Sequence, residues 1–241
     1  MSLQSIVTPE YTSVIPSTNQ EISFRPFLVK EEKILLMAQE SGEAEEQIKS
    51  VAAVLANCIL TPDIIIGELA IFDIEYLFLK IRAKSVGEIV ELRVGHIGSS
   101  EPTGTLESSC DHKTSIEFNI DDIEIPNPIP DNKIQLTDDI GIVLRFPNFQ
   151  DVATTDEQTS DTLFDMLVET VQYVYDKENV YNDFTKDEMR SWIENLQQQE
   201  FEKINNFFND VPTLKHKLEW TCSACGKDDF IELEGLQSFF T

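Results

Sequence analysis

Positively charged residues are scarce in this chain of 241 residues. It has 18 lysines and arginines against 44 aspartates and glutamates, which gives a formal net charge of -26. A surface with this charge repels phosphate groups, so the composition argues against binding to nucleic acid or to an anionic membrane. It favours a protein that binds basic patches on protein partners.

The chain also lacks the hydrophobic segments that direct a protein to or into a membrane. Residues 1–20 have neither a basic start nor an apolar stretch of the signal-peptide kind. The longest apolar candidate, 51–72, is interrupted by Asn57, Pro62, Asp63 and Glu68, whereas a bilayer span needs about 20 consecutive apolar residues. We therefore expect no membrane segment, and we expect the cysteines to be reduced thiols or metal ligands.

No recognisable catalytic motif is present. The sequence has no phosphate-binding glycine loop, no dinucleotide-binding G-x-G-x-x-G and no nucleophile elbow. Its three histidines, His96, His112 and His216, have no serine or cysteine partner in a known motif. Acidic pairs such as Asp121–Asp122 are expected on solvated turns in a chain with 44 acids. The sequence therefore predicts no catalytic residues and no enzymatic activity.

A predicted helix over residues 73–87 organises the rest of the chain. Its buried face has the i, i+3, i+4, i+7 spacing of a helix, carried by Ile74, Leu77, Phe78 and Ile81. Further apolar residues widen this face, so the helix should pack on more than one side. Its last turns carry Lys80, Arg82 and Lys84. Two interpretations stay open: the cations match the negative end of the helix dipole, or they dock an acidic surface of a partner.

Hydrophobic periodicity divides the chain into four parts and predicts an α+β fold. Residues 1–23 are rich in Ser, Thr, Gln and Pro and predict an extended arm. Residues 24–87 predict a bundle of about four helices, the third of them a short one opened by Thr61-Pro62-Asp63. Residues 88–147 alternate in polarity and predict a small antiparallel sheet packed on the helices.

Residues 148–241 predict a helical region that ends in a β-hairpin bearing a C-x-x-C motif. One helix begins near Ser160, and its inner face extends to Val174 and Tyr175. The next begins at a capping box, Thr185 to Glu188. At the chain end, Phe239 and Phe240 either tuck back onto the domain or anchor a partner, and we name them as candidate partner-binding residues together with Arg82 and Lys84.

Four residues are candidate zinc ligands. Cys222-x-x-Cys225-Gly226 is half of a zinc-knuckle pattern, and Cys110-Asp-His112 supplies the only candidate for the other half. One structural zinc bound by Cys110, His112, Cys222 and Cys225 is therefore one interpretation. The other is a tight turn with unpaired thiols and no metal. The fourth cysteine, Cys58, lies in an apolar segment and is expected to be a buried structural residue.

Three stretches carry a resemblance to a known family. They are 24–41 (FRPFLVKEEKILLMAQES), the 73–87 helix ending in 82–87 (RAKSVG), and Cys222-x-x-Cys-Gly followed by Leu-x-Gly-Leu-x-x-Phe-Phe240. In this order, and over about residues 22 to 240, they resemble the baseplate hub family of T4-like contractile-tailed phages. That family includes hub subunits and a hub assembly catalyst or chaperone. Its members often carry C-x-x-C at both cysteine positions, where this chain has Cys110-Asp-His112 at the first.

The resemblance implies a non-enzymatic role in building the central hub of the baseplate. The implied partners are other hub proteins and the tape-measure protein, with an oligomeric state left open. The implied location is the host cytoplasm during assembly and the baseplate of the virion tail. The residues alone leave an alternative from another class, a zinc-dependent module for protein interaction or regulation.

Overall fold

Six helices and ten strands are present in the part of the chain that the computed structural model describes, which is residues 7–42, 44–95, 110, 112–125, 128–148, 151 and 160–235. The helices are α1 Val29–Ser41, α2 Ala44–Cys58, α3 Ile71–Val86, α4 Ser160–Thr170, α5 Lys186–Glu194 and α6 Gln198–Asn209. The strands are β1 Tyr11–Ile15, β2 Gln20–Phe24, β3 Ile89–Gly95, β4 Lys113–Asn119, β5 Lys133–Gln135, β6 Gly141–Leu144, β7 Val171–Tyr175, β8 Val180–Tyr181, β9 Lys215–Thr221 and β10 Asp228–Glu234. Every strand pairing between them is antiparallel. Helices and small antiparallel sheets together confirm the predicted α+β class.

The N-terminal segment forms a hairpin, so the prediction of an extended arm over 1–23 is wrong for its described part. Strands β1 and β2 pair in register from Tyr11 opposite Phe24 to Ile15 opposite Gln20. Ile15, Ile22 and Phe24 are almost completely buried in the first hydrophobic core. Alternate positions of a strand point to opposite faces, so a few apolar residues are enough to form a buried face. The mainly polar composition of the segment therefore gave no sign of it. Residues 1–6 lie outside the described residues.

A buried carboxylate fixes this hairpin to the start of α3. Asp73 accepts hydrogen bonds from the Ser17 backbone N–H (2.9 Å) and from the Ser17 hydroxyl (2.6 Å) in the hairpin turn. It also accepts the Ala70 N–H at 3.2 Å, one of the N–H groups that the first turn of a helix leaves without a partner. Burial raises the pKa of Asp73, and the hydrogen bonds from Ser17 and Ala70 oppose that rise.

A second carboxylate joins the exit of the hairpin to α1 and α2. Glu31 is completely buried, accepts the Leu28 N–H at 2.8 Å and pairs with the Arg25 guanidinium at 2.9 Å. The same guanidinium donates to the backbone oxygen of Asn57 near the end of α2 at 2.9 Å. Charge-assisted bonds of this kind are the strong ones in a partly buried site. They hold three segments of the first core together.

Helix α3 is buried on two faces. One face packs into the first core, which α1, α2 and the hairpin complete, through Ile74, Leu77, Phe78 and Ile81. The other face packs into a second core through Phe72, Leu79 and Ala83. This core also contains residues of the β3–β4 pair and of the β9–β10 pair. The predicted packing on more than one side is confirmed. The predicted short helix before α3 is reduced to a 3-10 turn, Ile66–Glu68.

The predicted sheet over 88–147 is two separate sheets. Strands β3 and β4 form a two-stranded hairpin, whereas β5 and β6 belong to a four-stranded sheet of order β5-β6-β7-β8. The prediction of a helix running to Tyr175 is wrong, because α4 ends at Thr170 and the chain continues as β7. The sequence of β7, Val-Gln-Tyr-Val-Tyr, is rich in β-branched and aromatic residues, which favour a strand. Helical spacing of apolar residues and strand-favouring composition therefore compete over these residues, and pairing with β6 favours the strand.

The C-terminal third follows the sequence prediction more closely. Helix α5 begins at a complete capping box: Glu188 N–H donates to the Thr185 hydroxyl (3.3 Å), and Thr185 N–H donates to the Glu188 carboxylate (2.8 Å). Strands β9 and β10 form the predicted hairpin, with the C-x-x-C segment in the connection between them. None of the helices described here is long and apolar enough to cross a bilayer.

Replacing Ile81 with Ala should lower the free energy of unfolding by about 2–5 kcal/mol, because it leaves a cavity in a fully buried site of the first core. Val86→Ala is the matched control: it removes a β-branched side chain from the same helix, at a position that is 64% exposed, and should change stability by no more than about 0.5 kcal/mol. Urea denaturation measures both. Equal effects would contradict the burial of α3 on its Ile81 face.

Candidate functional site

Two hairpins that are distant in sequence bring three thiols together. Cys110 precedes β4, whereas Cys222 follows β9 and Cys225 lies in the turn before β10. Their sulfur atoms all lie within 4.8 Å of one another. Val94 and Trp220 are buried beside Cys222, and Cys110 packs against this small cluster. The thiols therefore mark the contact between the β3–β4 and β9–β10 hairpins.

A tight turn positions Cys222 and Cys225, the two thiols of the C-x-x-C segment. Cys222 N–H donates to the Lys227 oxygen at 2.8 Å, and Gly226 N–H donates to the Cys222 oxygen at 2.9 Å. Gly226 adopts a left-handed conformation with φ of 70°, which glycine accepts without a steric penalty. The turn leaves Cys222 buried and Cys225 exposed. One end of the thiol cluster therefore opens to solvent.

The sulfur geometry fits a tetrahedral metal better than a disulfide. The Sγ atoms of Cys110 and Cys222 are 3.8 Å apart, whereas a disulfide bond is about 2.05 Å long. Zinc binds thiolate sulfur at about 2.3 Å in a tetrahedral site, which places neighbouring sulfurs about 3.8 Å apart. The Cys110–Cys222 pair has that spacing, and the third sulfur, that of Cys225, lies within 4.8 Å of both.

The surroundings of Cys110 shift the pKa of its thiol. A backbone hydrogen bond at His112 lowers the pKa of Cys110, but burial and the neighbouring Cys222 and Cys225 thiols outweigh it, so the pKa is raised overall. Several thiolates this close repel one another unless a cation lies between them. A zinc ion held between the thiols would supply that charge, and its binding would release the thiol protons.

His112, the fourth predicted ligand, lies beside the cluster but is not one of its members. Its Nε2 atom is 2.8 Å from the hydroxyl of Ser223 in the C-x-x-C turn, and both residues are exposed. The Ser223 N–H also points to the Thr114 hydroxyl at 3.4 Å. The structure therefore brings together three of the four predicted ligands, and places the fourth at the same junction with a different partner.

The basic end of α3 lies at an internal junction. Lys80 Nζ is 2.9 Å and Lys84 Nζ 3.0 Å from the carboxylate of Asp121, in the 3-10 turn Ile120–Asp122 that follows β4. Lys84 also pairs with Glu88 at 2.5 Å, and these bonds raise the pKa of Lys84. Both lysines thus join the helical part of the chain to the β3–β4 hairpin.

Asp121 is the residue of this junction that sequence reasoning missed. The acidic pair was expected on a solvated turn, and Asp122 is indeed exposed, but Asp121 is half-buried. Hydrogen bonds from Lys80, and then from Lys84, hold the pKa of Asp121 below its usual range. Asn119 caps the 3-10 turn by accepting the Asp121 N–H at 2.9 Å. An asparagine shortly before two aspartates was the local sign of an ordered turn at this position.

Arg82, Phe239 and Phe240 are the remaining residues that the sequence predicts to bind a partner. Arg82 is half-buried, and burial lowers the pKa of its guanidinium. Phe239 and Phe240 lie outside the described residues. The proposed docking role of Arg82, Lys84 and the two phenylalanines stays a prediction.

The fold and the thiol cluster define a strongly acidic α+β protein with a candidate structural metal site. The sequence model of one family, the T4 bacteriophage base plate proteins, matches residues 8–241. The match covers nearly the whole chain, so this protein belongs to that family. No curated protein and no solved structure matches it. Membership gives the chain a structural role in the phage baseplate, at the end of the virion tail and among other phage proteins.

Replacing Asp121 with Asn should lower the free energy of unfolding at pH 7 by about 1–2 kcal/mol, because the neutral amide leaves one acceptor oxygen, and no negative charge, for the two lysine ammonium groups in a half-buried site. Since the folded pKa of Asp121 is depressed below 3.8, its contribution is present above that value and is lost as the pH falls through the folded pKa. The difference between wild type and variant should therefore persist down to about pH 4 and vanish in stronger acid.

Asp122→Asn is the matched control, since it makes the same change in net charge at the exposed neighbouring position. Thermal or urea denaturation between pH 2.5 and pH 7 measures both variants. If the two variants lose the same stability, the junction between α3 and Asp121 does not contribute as described.

Proposed function

We propose that this protein takes part in assembling the central hub of the baseplate, without catalysis, by binding hub subunits or the tape-measure protein. The match to the base plate family over residues 8–241 carries the proposal. The two N-terminal stretches of the resemblance, 24–41 and 82–87, support the narrower assignment to the hub. Their structural counterparts are α1 and the end of α3, the helices that close the first core.

Charge supports binding to basic surfaces of other proteins. The chain carries 26 more negative than positive charges. Several of its cations are held internally by carboxylates: Arg25 by Glu31, Lys84 by Asp121 and Glu88, and Arg145 by Asp151. The excess acids therefore dominate the outer surface. Such a surface speeds association with a basic partner and discourages contact with nucleic acid.

The non-enzymatic part of the proposal rests on the character of the candidate site. The His112–Ser223 pair is exposed to solvent, where water competes for the hydroxyl, and catalytic nucleophiles need a third group and an oxyanion site around them. Cysteine thiolates are the ligands that predominate in structural zinc sites, and the cluster consists of three cysteines.

Affinity purification of the tagged protein from infected cells should retrieve hub or tape-measure proteins, identified by mass spectrometry. The tag fused to an unrelated phage protein is the control. Recovery of unrelated host proteins alone would contradict the proposal. Comparing purified virions with the lysate then distinguishes a hub subunit from an assembly chaperone. A hub subunit stays in the virion, whereas an assembly chaperone is confined to the lysate.

A second candidate function is a zinc-dependent interaction module, favoured by the spacing of the three thiols. We propose that Cys110, Cys222 and Cys225 hold one structural zinc, which would fasten the β3–β4 hairpin to the β9–β10 hairpin. A partner surface built from both hairpins would then depend on the metal. This function is compatible with the hub role, since a fastened pair of hairpins offers a rigid docking surface.

Purified protein should contain one zinc per chain by elemental analysis, and Cys222→Ser should abolish it. Cys58→Ser is the matched control, because Cys58 is fully buried in the first core and burial raises its pKa to about 11, which keeps the thiol protonated. Chelation should lower the thermal midpoint of wild type and leave Cys222→Ser unaffected. A metal-free protein of unchanged stability would exclude the module.

A further inference from the structure

A cleft of about 460 Å³ lies between the four-stranded sheet and α5, away from the thiol cluster. Its floor is apolar: Val174 and Met189 are buried, whereas Phe184 and Trp192 are half-buried. Ile140, on the connection between β5 and β6, is 37% exposed at one side. A cleft with these walls accepts a large apolar side chain.

The rim of the cleft is acidic. Asp176, Asp183 and Glu188 line it, and none of the described residues that line it is a lysine or arginine. Asp176 is held in place by the Glu178 and Asn179 N–H groups and by the Tyr181 hydroxyl, at 2.7 to 2.8 Å. The Glu188 carboxylate is fixed by the capping box of α5. Two of the three charges are therefore preorganised.

Three nearby cations pair with carboxylates outside the cleft lining, whereas Lys133 Nζ lies 4.7 Å from the ring centroid of Tyr175, which lines the cleft. Lys177 pairs with Asp139, Lys186 with Glu169, and Arg190 with Asp165. The carboxylates of the cleft are thus not neutralised by those neighbours. Hydrogen bonds from the Glu178 backbone, the Tyr181 hydroxyl and the Asn179 backbone also hold the pKa of Asp176 below its usual range. Asp176 therefore stays negatively charged at neutral pH.

A strand edge runs beside the cleft. Strand β8 is the outermost strand of its sheet and pairs with β7 alone among the described residues. Val180 is 61% and Tyr181 50% exposed, although both are large apolar residues. An unprotected edge offers main-chain hydrogen bonds to an added strand. Tyr181 and Trp192 also present aromatic faces that attract a cation.

We propose that this cleft binds an extended segment of a protein partner in which a large apolar side chain is flanked by lysine or arginine. The apolar side chain fills the floor, the flanking cations meet Asp176, Asp183 and Glu188, and the backbone of the segment lies along β8. The inference rests on the proposed function only for the source of the segment, a baseplate protein. Peptide binding and hub retrieval therefore test separate claims.

The test uses fluorescein-labelled pentapeptides with the full-length protein. The panel has the form Arg-Ile-X-Ile-Arg, with Leu, Phe or Trp at X, and each peptide has a control in which glutamate replaces arginine. Fluorescence anisotropy should show saturable binding for the basic panel, weakened by added salt, and none for the acidic controls. Absence of saturable binding across the basic panel, or equal binding of the acidic panel, would overturn the proposal.

Two matched variants locate the binding. Asp183→Asn should weaken binding roughly five-fold, the size of a single rim charge, whereas Glu178→Gln makes the same charge change in the neighbouring turn, outside the cleft lining, and should leave binding unchanged. Ile140→Ser, at the exposed side of the floor, should weaken binding of the Trp peptide most. Circular dichroism confirms that each variant is folded. Equal effects of Asp183→Asn and Glu178→Gln would place binding elsewhere and overturn the assignment.

Discussion

A helix buried on two faces is the constraint on which the rest of this structure depends. Because α3 contributes to two hydrophobic cores, its polar side chains need partners from other elements. Asp73 takes its partner from the N-terminal hairpin, and Lys80 and Lys84 take theirs from the turn after β4. Each of these bonds satisfies a group that would be costly to bury alone. The same bonds attach the hairpins to the helix.

The candidate metal site follows from this attachment. Lys80 and Lys84 set the position of the β3–β4 hairpin, and the buried carboxylate of Glu75 faces the Leu214 N–H, just before β9, at 3.4 Å. Both hairpins thus take their positions from one helix. Cys110 and Cys222, which are 112 residues apart, meet as a result. A metal at this point would lock an arrangement that α3 already establishes, in the way that metal binding adds to the folding free energy of small domains.

The surface of the molecule is negatively charged because several cations pair with carboxylates within the fold, whereas the excess acids lie at the surface. Arg25, Lys80 and Lys84 join elements of the fold, whereas Asp176 and Asp183 line a cleft whose described lining residues include no lysine or arginine. A structural protein of the baseplate works through such contacts with its neighbours. The thiol junction and the acidic cleft have no residues in common, so the proposed metal site and the proposed peptide site can be tested independently.

The sequence by itself determined the features that neighbouring residues specify: the two-sided face of α3, the capping box at Thr185, the C-x-x-C hairpin and the family. The first three depend on spacing within a few residues, where helix and turn geometry are fixed, and the family is carried by three short stretches in a given order. Only the tertiary structure decided that residues 11–24 form a hairpin, that 171–175 form a strand, that Asp121 binds two lysines and that His112 meets Ser223. These outcomes depend on partners far along the chain, because strand pairing and ion pairing are chosen by what the fold brings within reach, and local patterns do not encode that choice.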